Sequence, residues 1–589
     1  MKKNNKTYKE IFIEAFENYK KKDFKRAETL CYKILSVDTN HFDSIMLLAN
    51  ISAVNKNFDK AKKLLHKAIE INPNNVTVLN NLGIANKELG NHKEAISYYQ
   101  KVIKIDPRHT NANYNLGVSY YILKDINNAK SYFKKTVEIQ TNFALAFYAL
   151  ANVHVDLKEY ENAISCYQKA IEINPNLVSA YNNLGLVFRE LNDFQNSIKN
   201  YEKAIKINSN YGASHHNLGL AFKELGRFQE AIKSHKNAIK CEPENLMNYF
   251  YLSELEKNTI DIKLKNKIEK IVKNKDSAKR NIAYGNYLLS RYTKNTKNYK
   301  KEFDFLIKGH QAFFESKSEK FDLGVKYCFD DVLQIEERAK VEKIKEKDDY
   351  NIVKPIFIIG VPRCGSTLVE KIIGSGEKFV SLGEETTILE NFVNSKILEK
   401  KSLNLGNVED VRNQLFNLYK NKGLLSEKYN YIFTDKSLNN FFYLKLIKDI
   451  YPNAKVINCK RDIISSIMSI FQNNLTELSW THNLENIFKY FNNYFEIVNN
   501  FSKTNSDFIY ELEFEKLVSH PEEESKKLMK FCELPWNKKC LEYYKRKDLI
   551  SKTASNIQIR KAIFKHSRER YLPYKIFLDK YGKGYSWYN

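Results

Sequence analysis

The hydrophobic and polar positions of this 589-residue chain change rhythm partway along. In the first half, small residues recur every 34 positions at Ala27, Ala61, Ala95, Ala129, Ala163 and Ala231, with Ser197 filling the gap. Leu82-Gly83, Leu116-Gly117, Leu150-Ala151, Leu184-Gly185 and Leu218-Gly219 keep the same step, and Pro73, Pro107, Pro175 and Pro243 share the register. Two small residues per unit let a pair of antiparallel helices approach closely, and the proline ends the second helix before the next begins. Seven units follow, starting at 8, 42, 76, 110, 144, 178 and 212. Such units bury their faces only by stacking, which builds an α-solenoid with a concave groove. Residues 246 to about 350 stay helical in pattern but lose the period; Ile282 to Phe314 reads as a helix pair, and the mixed charges of Glu342 to Tyr350 read as a linker.

From Lys354 the pattern turns to short apolar runs. Pro355 to Ile359 is rich in β-branched and aromatic residues, breaks into Gly-Val-Pro-Arg-Cys-Gly-Ser-Thr, and gives way to an amphipathic segment closed by Gly374. That predicts strand, tight turn and helix. A second unit of this kind has its strand at Lys455 to Cys459, and Arg461-Asp462 opens a helix carrying Ser465, Ser466 and Ser469. The expected organisation is therefore a helical repeat array over 8–245, a helical connector or degenerate repeat over 246–350, and an α/β domain with a central parallel sheet over 351–589.

The turn after Ile359 carries chemistry. Its backbone N–H groups and those opening the helix lack internal partners, and the helix dipole adds positive potential at the same place. Gly360 to Thr367 matches the triphosphate loop G-x-x-x-x-G-K-[ST] except that Ser366 stands in place of the lysine, which disfavours a nucleotide kinase. Arg363 offers instead a planar fork of donors to a doubly anionic group. Arg461 at the second helix entrance and Ser469 two turns on are placed to hold a phosphate together.

Composition narrows the class. Apolar residues are 43% of the chain, which suits globular cores. No run has the length of a membrane span, and the N-terminus MKKNNKTYKE lacks the apolar core of a signal peptide, so a soluble, cytoplasmic protein is expected. The formal charge of +25 is spread along the chain, +10 over residues 1–245 and +15 over 246–589, which argues against a specific nucleic-acid footprint. The eight cysteines form no C-x-x-C pair, so reduced thiols are expected rather than a disulfide scaffold or a metal site.

Two resemblances sharpen this reading. The 34-residue period is identified as the tetratricopeptide pattern. Asn81, Asn115, Asn183 and Asn217, interrupted by Ala149, form a row on the inner helices that is similar to the asparagine ladder of the O-linked N-acetylglucosamine transferases. An amide offers a donor and an acceptor together, so the row implies a groove that binds a protein or peptide. A polar inner face with no such role is the alternative.

The stretch Pro362-Arg363-Cys364-Gly365-Ser366-Thr367-Leu368 resembles the 5'-phosphosulfate loop P-R-S-G-T-T-L of sulfotransferases, with a Cys and a Ser replacing a Ser and a Thr. Arg461 and Ser469 look like that family's 3'-phosphate pair. Leu382-Gly383-Glu384-Glu385-Thr386 resembles the Gly-Glu-Glu-Thr motif of the tyrosylprotein sulfotransferases, which implies Glu385 as the base, with Glu384 the alternative. Lys436, sixteen residues before Pro452, matches the catalytic lysine, and the resemblance implies that Lys436 and Arg363 together stabilise charge growing on the leaving oxygens. Phe514 replaces a tyrosine of the family's Tyr-Glu-x-Leu-Val element, and Gln558-Ile559-Arg560-Lys561 resembles the late segment that closes over the cofactor, where Arg560 or Lys561 would reach the 3'-phosphate. His482, His520 and His566 stay open as bases because cytosolic sulfotransferases use a histidine.

The resemblance therefore implies a P-loop-like sulfotransferase domain. It would move a sulfuryl group from 3'-phosphoadenosine-5'-phosphosulfate (PAPS, leaving 3',5'-ADP) to an acceptor hydroxyl without a metal. Tyrosine in a protein or peptide is the favoured acceptor. Carbohydrate, lipid or small-molecule hydroxyls, or a non-catalytic scaffold, are the alternatives.

Overall fold

The computed structural model describes residues 7–256, 259–342, 353–376, 380–400, 403–425, 432–546, 556–563 and 570–588. By contacts the chain divides into two units, Met1–Asn217 and Leu218–Asn589.

The first unit is a succession of antiparallel helix pairs. First helices begin at Tyr8, Phe42, Val76, Thr110, Ala144 and Val178, and second helices at Phe24, Phe58, His92, Ile126, Tyr160 and Phe194, all in the 34-residue register of the sequence. The glycines explain the close approach: a Cβ added at Gly83 would lie 2.4 Å from the Tyr99 ring, and one at Gly117 2.6 Å from Phe133. Ala27, Ala61, Ala95, Ala129 and Ala163 are fully buried. The turn within each pair needs one left-handed residue, and it recurs at Lys22, Lys56, Gly90, Lys124, Lys158 and Asn192. Asp23, Asn57, Asp125 and Asp193 follow it and cap the second helix by accepting from its backbone.

In the second unit one hydrophobic core runs from Leu246 to Tyr588. The sequence reading treats 246–350 as a connector, but its helices, among them Lys279–Asn295 and Tyr299–Glu315, contribute Tyr284, Tyr287, Leu306 and Phe313 to that common core. Residues 343–350 of the expected linker lie outside the described residues. Six strands are described: β1 (Lys340–Glu342), β2 (Lys354–Gly360), β3 (Asn404–Asn407), β4 (Ile432–Asp435), β5 (Lys455–Lys460) and β6 (Ile509–Glu513). β1 and β3 form a short parallel pair. The other four make a parallel sheet in the order β4-β2-β5-β6. β2 is the apolar run of the sequence, buried from Pro355 to Gly360, as expected of a central parallel strand covered on both faces.

The register decides where the loops meet. Gly360, the last residue of β2, pairs with Cys459 of β5, and Phe357 pairs with Asp435, the last residue of β4. Open parallel sheets bind ligands beyond the carboxyl ends of their strands. Arg363, Lys436, Arg461 and Phe514 all follow such ends.

The helical part and the sheet part are also tied by a buried imidazole pair. His310 Nε2–H donates to the Phe471 carbonyl at 2.7 Å, while its Nδ1 lies 3.0 Å from His482 Nδ1 and 3.1 Å from the Tyr287 hydroxyl. Burial pushes the His310 pKa down to about 4 and the His482 pKa down to about 2, the latter with help from the neighbouring His310. An unfolded chain takes up these protons near pH 6.5 and the folded one does not. The pair therefore stabilises the fold above pH 6.5, and that contribution is lost as the pH falls below 6.5, toward about 4 for His310 and about 2 for His482. Thermal melts should show Tm dropping across this window, with a shallower slope in His482→Asn, which cannot titrate.

Candidate active site

The loop after β2 is tightly wound. Arg363 has φ +71° and Gly365 has φ +101°, both in the left-handed region. Only glycine adopts this without strain, and a Cβ on Gly365 would lie 2.3 Å from the Phe514 ring. The helix Ser366–Gly374 starts at once, and no side chain caps it. The positive end of the helix dipole is therefore turned to this loop.

Arg363 and Arg461 wall one cleft, with Gly365, Phe514, Gln558 and Ile559 also lining it. Arg461 donates from Nη1 to the Arg363 carbonyl at 2.8 Å, and its guanidinium sits 5.0 Å from the centre of the Phe514 ring. Arg363 donates from Nε to the buried Ser469 hydroxyl at 3.1 Å and from Nη2 to Gln558 Oε1 at 3.3 Å. Burial and the adjacent Arg461 charge pull the Arg363 pKa down to about 10. Two guanidiniums share one half-buried site, so an anion bound between them relieves both desolvation and repulsion.

Next to this, the end of β4 holds Lys436. Its ammonium is almost fully buried and donates to Glu385 Oε1 at 2.8 Å, with Glu384 Oε1 at 3.8 Å. Burial works to lower its pKa, but the charges of Glu385, Glu384 and Glu370 outweigh it and hold the ammonium above the ordinary lysine value. Backbone bonds from Thr434 N to Ser381 O and from Lys436 N to Gly383 O, each 2.9 Å, fasten the acidic segment to the strand. Glu385 has φ +51°, and its side chain is 45% exposed. Buried Glu370, one turn into the helix after the loop, accepts from the Thr434 hydroxyl at 2.9 Å, and that hydroxyl accepts from Gly383 N at 3.0 Å. Loop helix, strand end and acidic segment are thus locked together through Thr434.

Comparison with known proteins bears directly on this geometry. Residues 355–538 match the model of the sulfotransferase family, and tetratricopeptide models match 42–75, 76–109, 110–143, 151–191, 185–226 and 214–246. The chain is a tetratricopeptide-repeat protein with a sulfotransferase-family domain. It is 29% identical over 314 residues to an uncharacterized protein of Aquifex aeolicus (strain VF5), covering 51% of this chain and 41% of that one. It is 24% identical to protein-tyrosine sulfotransferase A of Caenorhabditis elegans over 37% of this chain and 59% of the relative. With the protein-tyrosine sulfotransferase of Drosophila melanogaster it shares 27% identity over 34% of this chain and 43% of the relative. The chain thus spans about half the length of these relatives.

Within the sulfotransferase-family domain the structure brings together Arg363, Gly365, Arg461, Ser469 and Phe514, and separately Glu385 with Lys436. Ser366 and Thr367 are buried in the first turn of the loop helix. Two side chains turn elsewhere. The Cys364 sulfur is buried behind the loop, where a Cβ on Gly360 would lie 2.7 Å from it. Hydrogen bonds to that sulfur from the Cys459 thiol and from Ser366 lower its pKa, while Cys459 is raised. Its side chain therefore faces the sheet and not the cleft. Arg560 turns to the Glu224 carbonyl, and the Lys561 carbonyl accepts from the Tyr543 hydroxyl at 3.1 Å.

Of the histidines, His482 is packed in the pair described above, His520 is exposed beside Ser519, and His566 lies outside the described residues. Gln558 is a contact that the sequence does not single out, because nothing in the local pattern distinguishes it from its neighbours. Glu370 and Thr434 are likewise not singled out by the sequence, because only the sheet creates their pairing. Among the described residues no helix is long and apolar enough to cross a membrane, and no group of three or more His, Cys, Asp or Glu is placed to hold a metal ion.

In the first unit the asparagine row is cross-linked. Asn183 Nδ2 donates to Asn152 Oδ1 at 3.0 Å and to the Tyr148 hydroxyl at 3.1 Å, and Asn217 Nδ2 donates to Asn182 Oδ1 at 3.0 Å. Asn115 Oδ1 accepts from Lys87 at 3.3 Å, and Asn81 Nδ2 reaches Asn50 Oδ1 at 3.5 Å. These amides join successive repeats.

Gly365→Ala combines a strained φ with a clash against Phe514. It should cost about 1–3 kcal/mol. Thermal unfolding measures this, and an unchanged Tm would show that the loop relaxes freely.

Proposed function

We propose that the sulfotransferase-family domain binds PAPS and transfers its sulfuryl group to an acceptor hydroxyl. A tyrosine of a protein or peptide presented by the repeat groove is the favoured acceptor. The observation that carries this reading is the single cleft walled by Arg363 and Arg461 at the carboxyl edge of the sheet. The donor set fits the group: two guanidiniums, the Ser469 hydroxyl and an uncapped helix N-terminus suit a nucleotide with two separate anionic ends. Bound there, PAPS would supply the sulfuryl group and a nucleotide leaving group.

Arg461 and Ser469 would hold the 3'-phosphate, and Arg363, at the head of the Ser366–Gly374 helix, the phosphosulfate. Phe514 lends a ring face and a cation–π contact that keeps Arg461 flat along the wall. Glu385, partly exposed and paired to Lys436, would accept the acceptor proton, and the buried Lys436 ammonium, with Arg363, would steady charge growing on oxygen. The tyrosine preference is supported by the likeness to the two protein-tyrosine sulfotransferases. For the groove, the support is a row of amides on the inner helices.

Isothermal titration tests the donor. 3',5'-ADP should bind at least about tenfold more tightly than ATP, and a preference for ATP would defeat the reading. Glu385→Gln should lower turnover by roughly 10²–10⁴-fold while 3',5'-ADP affinity is kept. Undiminished turnover would remove Glu385 as the base. Replacing Asn81, Asn115, Asn183 and Asn217 together by Ala should weaken capture on a tyrosine-containing peptide array while the helical circular dichroism persists. Because the row also joins repeats, a lower Tm should accompany it; unchanged capture would leave the row a purely structural feature.

A further inference from the structure

The segment 556–563 has two sides with different partners. On one side Gln558, Ile559, Ala562 and Ile563 line the cleft, and Gln558 Oε1 accepts from Arg363. On the other, Arg560 Nη2 donates to the Glu224 carbonyl at 3.0 Å and its Nε to Asn556 Oδ1 at 3.2 Å, while Asn556 Nδ2 donates to the same Glu224 carbonyl at 3.1 Å. Glu224 ends the helix Gly212–Glu224, so its carbonyl is one of those that a helix leaves without an internal partner. The turn that follows is shaped for the contact: Gly226 has φ +75°, and a Cβ there would lie 2.3 Å from Arg560 Nε. Asn556 is 2% exposed, so its amide is committed to this junction.

The helices beside that turn also reach toward the cleft electrostatically. Glu254, held by Lys223 and Arg291, is close enough for its charge to act on Arg363.

We propose that Asn556 and Arg560 are positioning residues. They latch the cleft-lining segment onto the Glu224 carbonyl, so that Gln558 meets Arg363 and donor affinity depends on a contact outside the cleft. This assigns Arg560 a different role from the direct phosphate contact that its place in the late segment implies, and it rests on the nucleotide-binding reading of the cleft. A guanidinium suits the role because its rigid planar fork holds donors toward two separated acceptors, whereas the donors of a lysine all sit on one nitrogen.

The test has two arms on the full chain. Hydrogen–deuterium exchange without any ligand should show amides within 556–563 exchanging about tenfold faster in Arg560→Ala and in Gly226→Ala, the loss expected for one or two hydrogen bonds. Titration with 3',5'-ADP should show each variant binding about tenfold more weakly, with the double variant no worse than either single one and Arg560→Lys keeping part of the affinity. If Arg560→Ala weakens binding while Gly226→Ala changes neither readout, Arg560 touches the nucleotide itself and the latch is overturned. Unchanged exchange in both variants overturns it as well. A wild-type chain that binds no 3',5'-ADP would defeat the donor reading, and the exchange arm would still decide the latch. Should Arg560→Ala fail to fold, Gly226→Ala and Arg560→Lys carry both measurements.

Discussion

The parallel register of β2 between β4 and β5 is the constraint on which the site depends. Parallel strands run their carboxyl ends to the same edge, and here Gly360 stands level with Cys459 while Asp435 pairs three residues earlier, with Phe357. The loop holding Arg363, the helix entrance holding Arg461 and the strand end holding Lys436 are therefore neighbours, although 98 residues separate the two arginines in the chain. A slip of one residue in either pairing would turn alternate side chains to the other face and dissolve the cluster.

What the register assembles is electrostatically unbalanced on purpose. Two guanidiniums face one cleft, and Arg461 is tied to the Arg363 carbonyl rather than to a carboxylate. Lys436, by contrast, is buried but compensated by Glu385 and Glu384. The first arrangement favours an incoming anion and the second a proton-accepting carboxylate near a fixed cation. On the proposed function, the same sheet edge would separate a binding end from a reacting end by nothing more than which strand each residue follows.

The repeat helices solve a simpler problem. Each inner glycine receives a ring from its partner helix, as Gly83 does from Tyr99, and each turn spends one left-handed residue. Stability of this kind is local and additive along the array. The helices after Leu246 obey a different rule, burying their aromatic residues in the core that also covers the sheet, and this is why the period fades there although the helices persist.

The period of 34, the helix starts, the strand-turn-helix at Lys354 and the second at Lys455 were determined by the sequence alone, because each rests on spacing within a few turns of chain. The strand-end positions of Arg363, Lys436 and Arg461 were legible for the same reason. Only the tertiary structure decided where loop side chains point. Cys364 faces inward because Cys459, almost a hundred residues on, offers its sulfur a partner, and Arg560 faces the Glu224 carbonyl because a glycine turn leaves room for it. Gln558 gained its contact with Arg363 by the same folding event. Directions in a loop are set by partners distant in sequence, and local pattern carries no record of them.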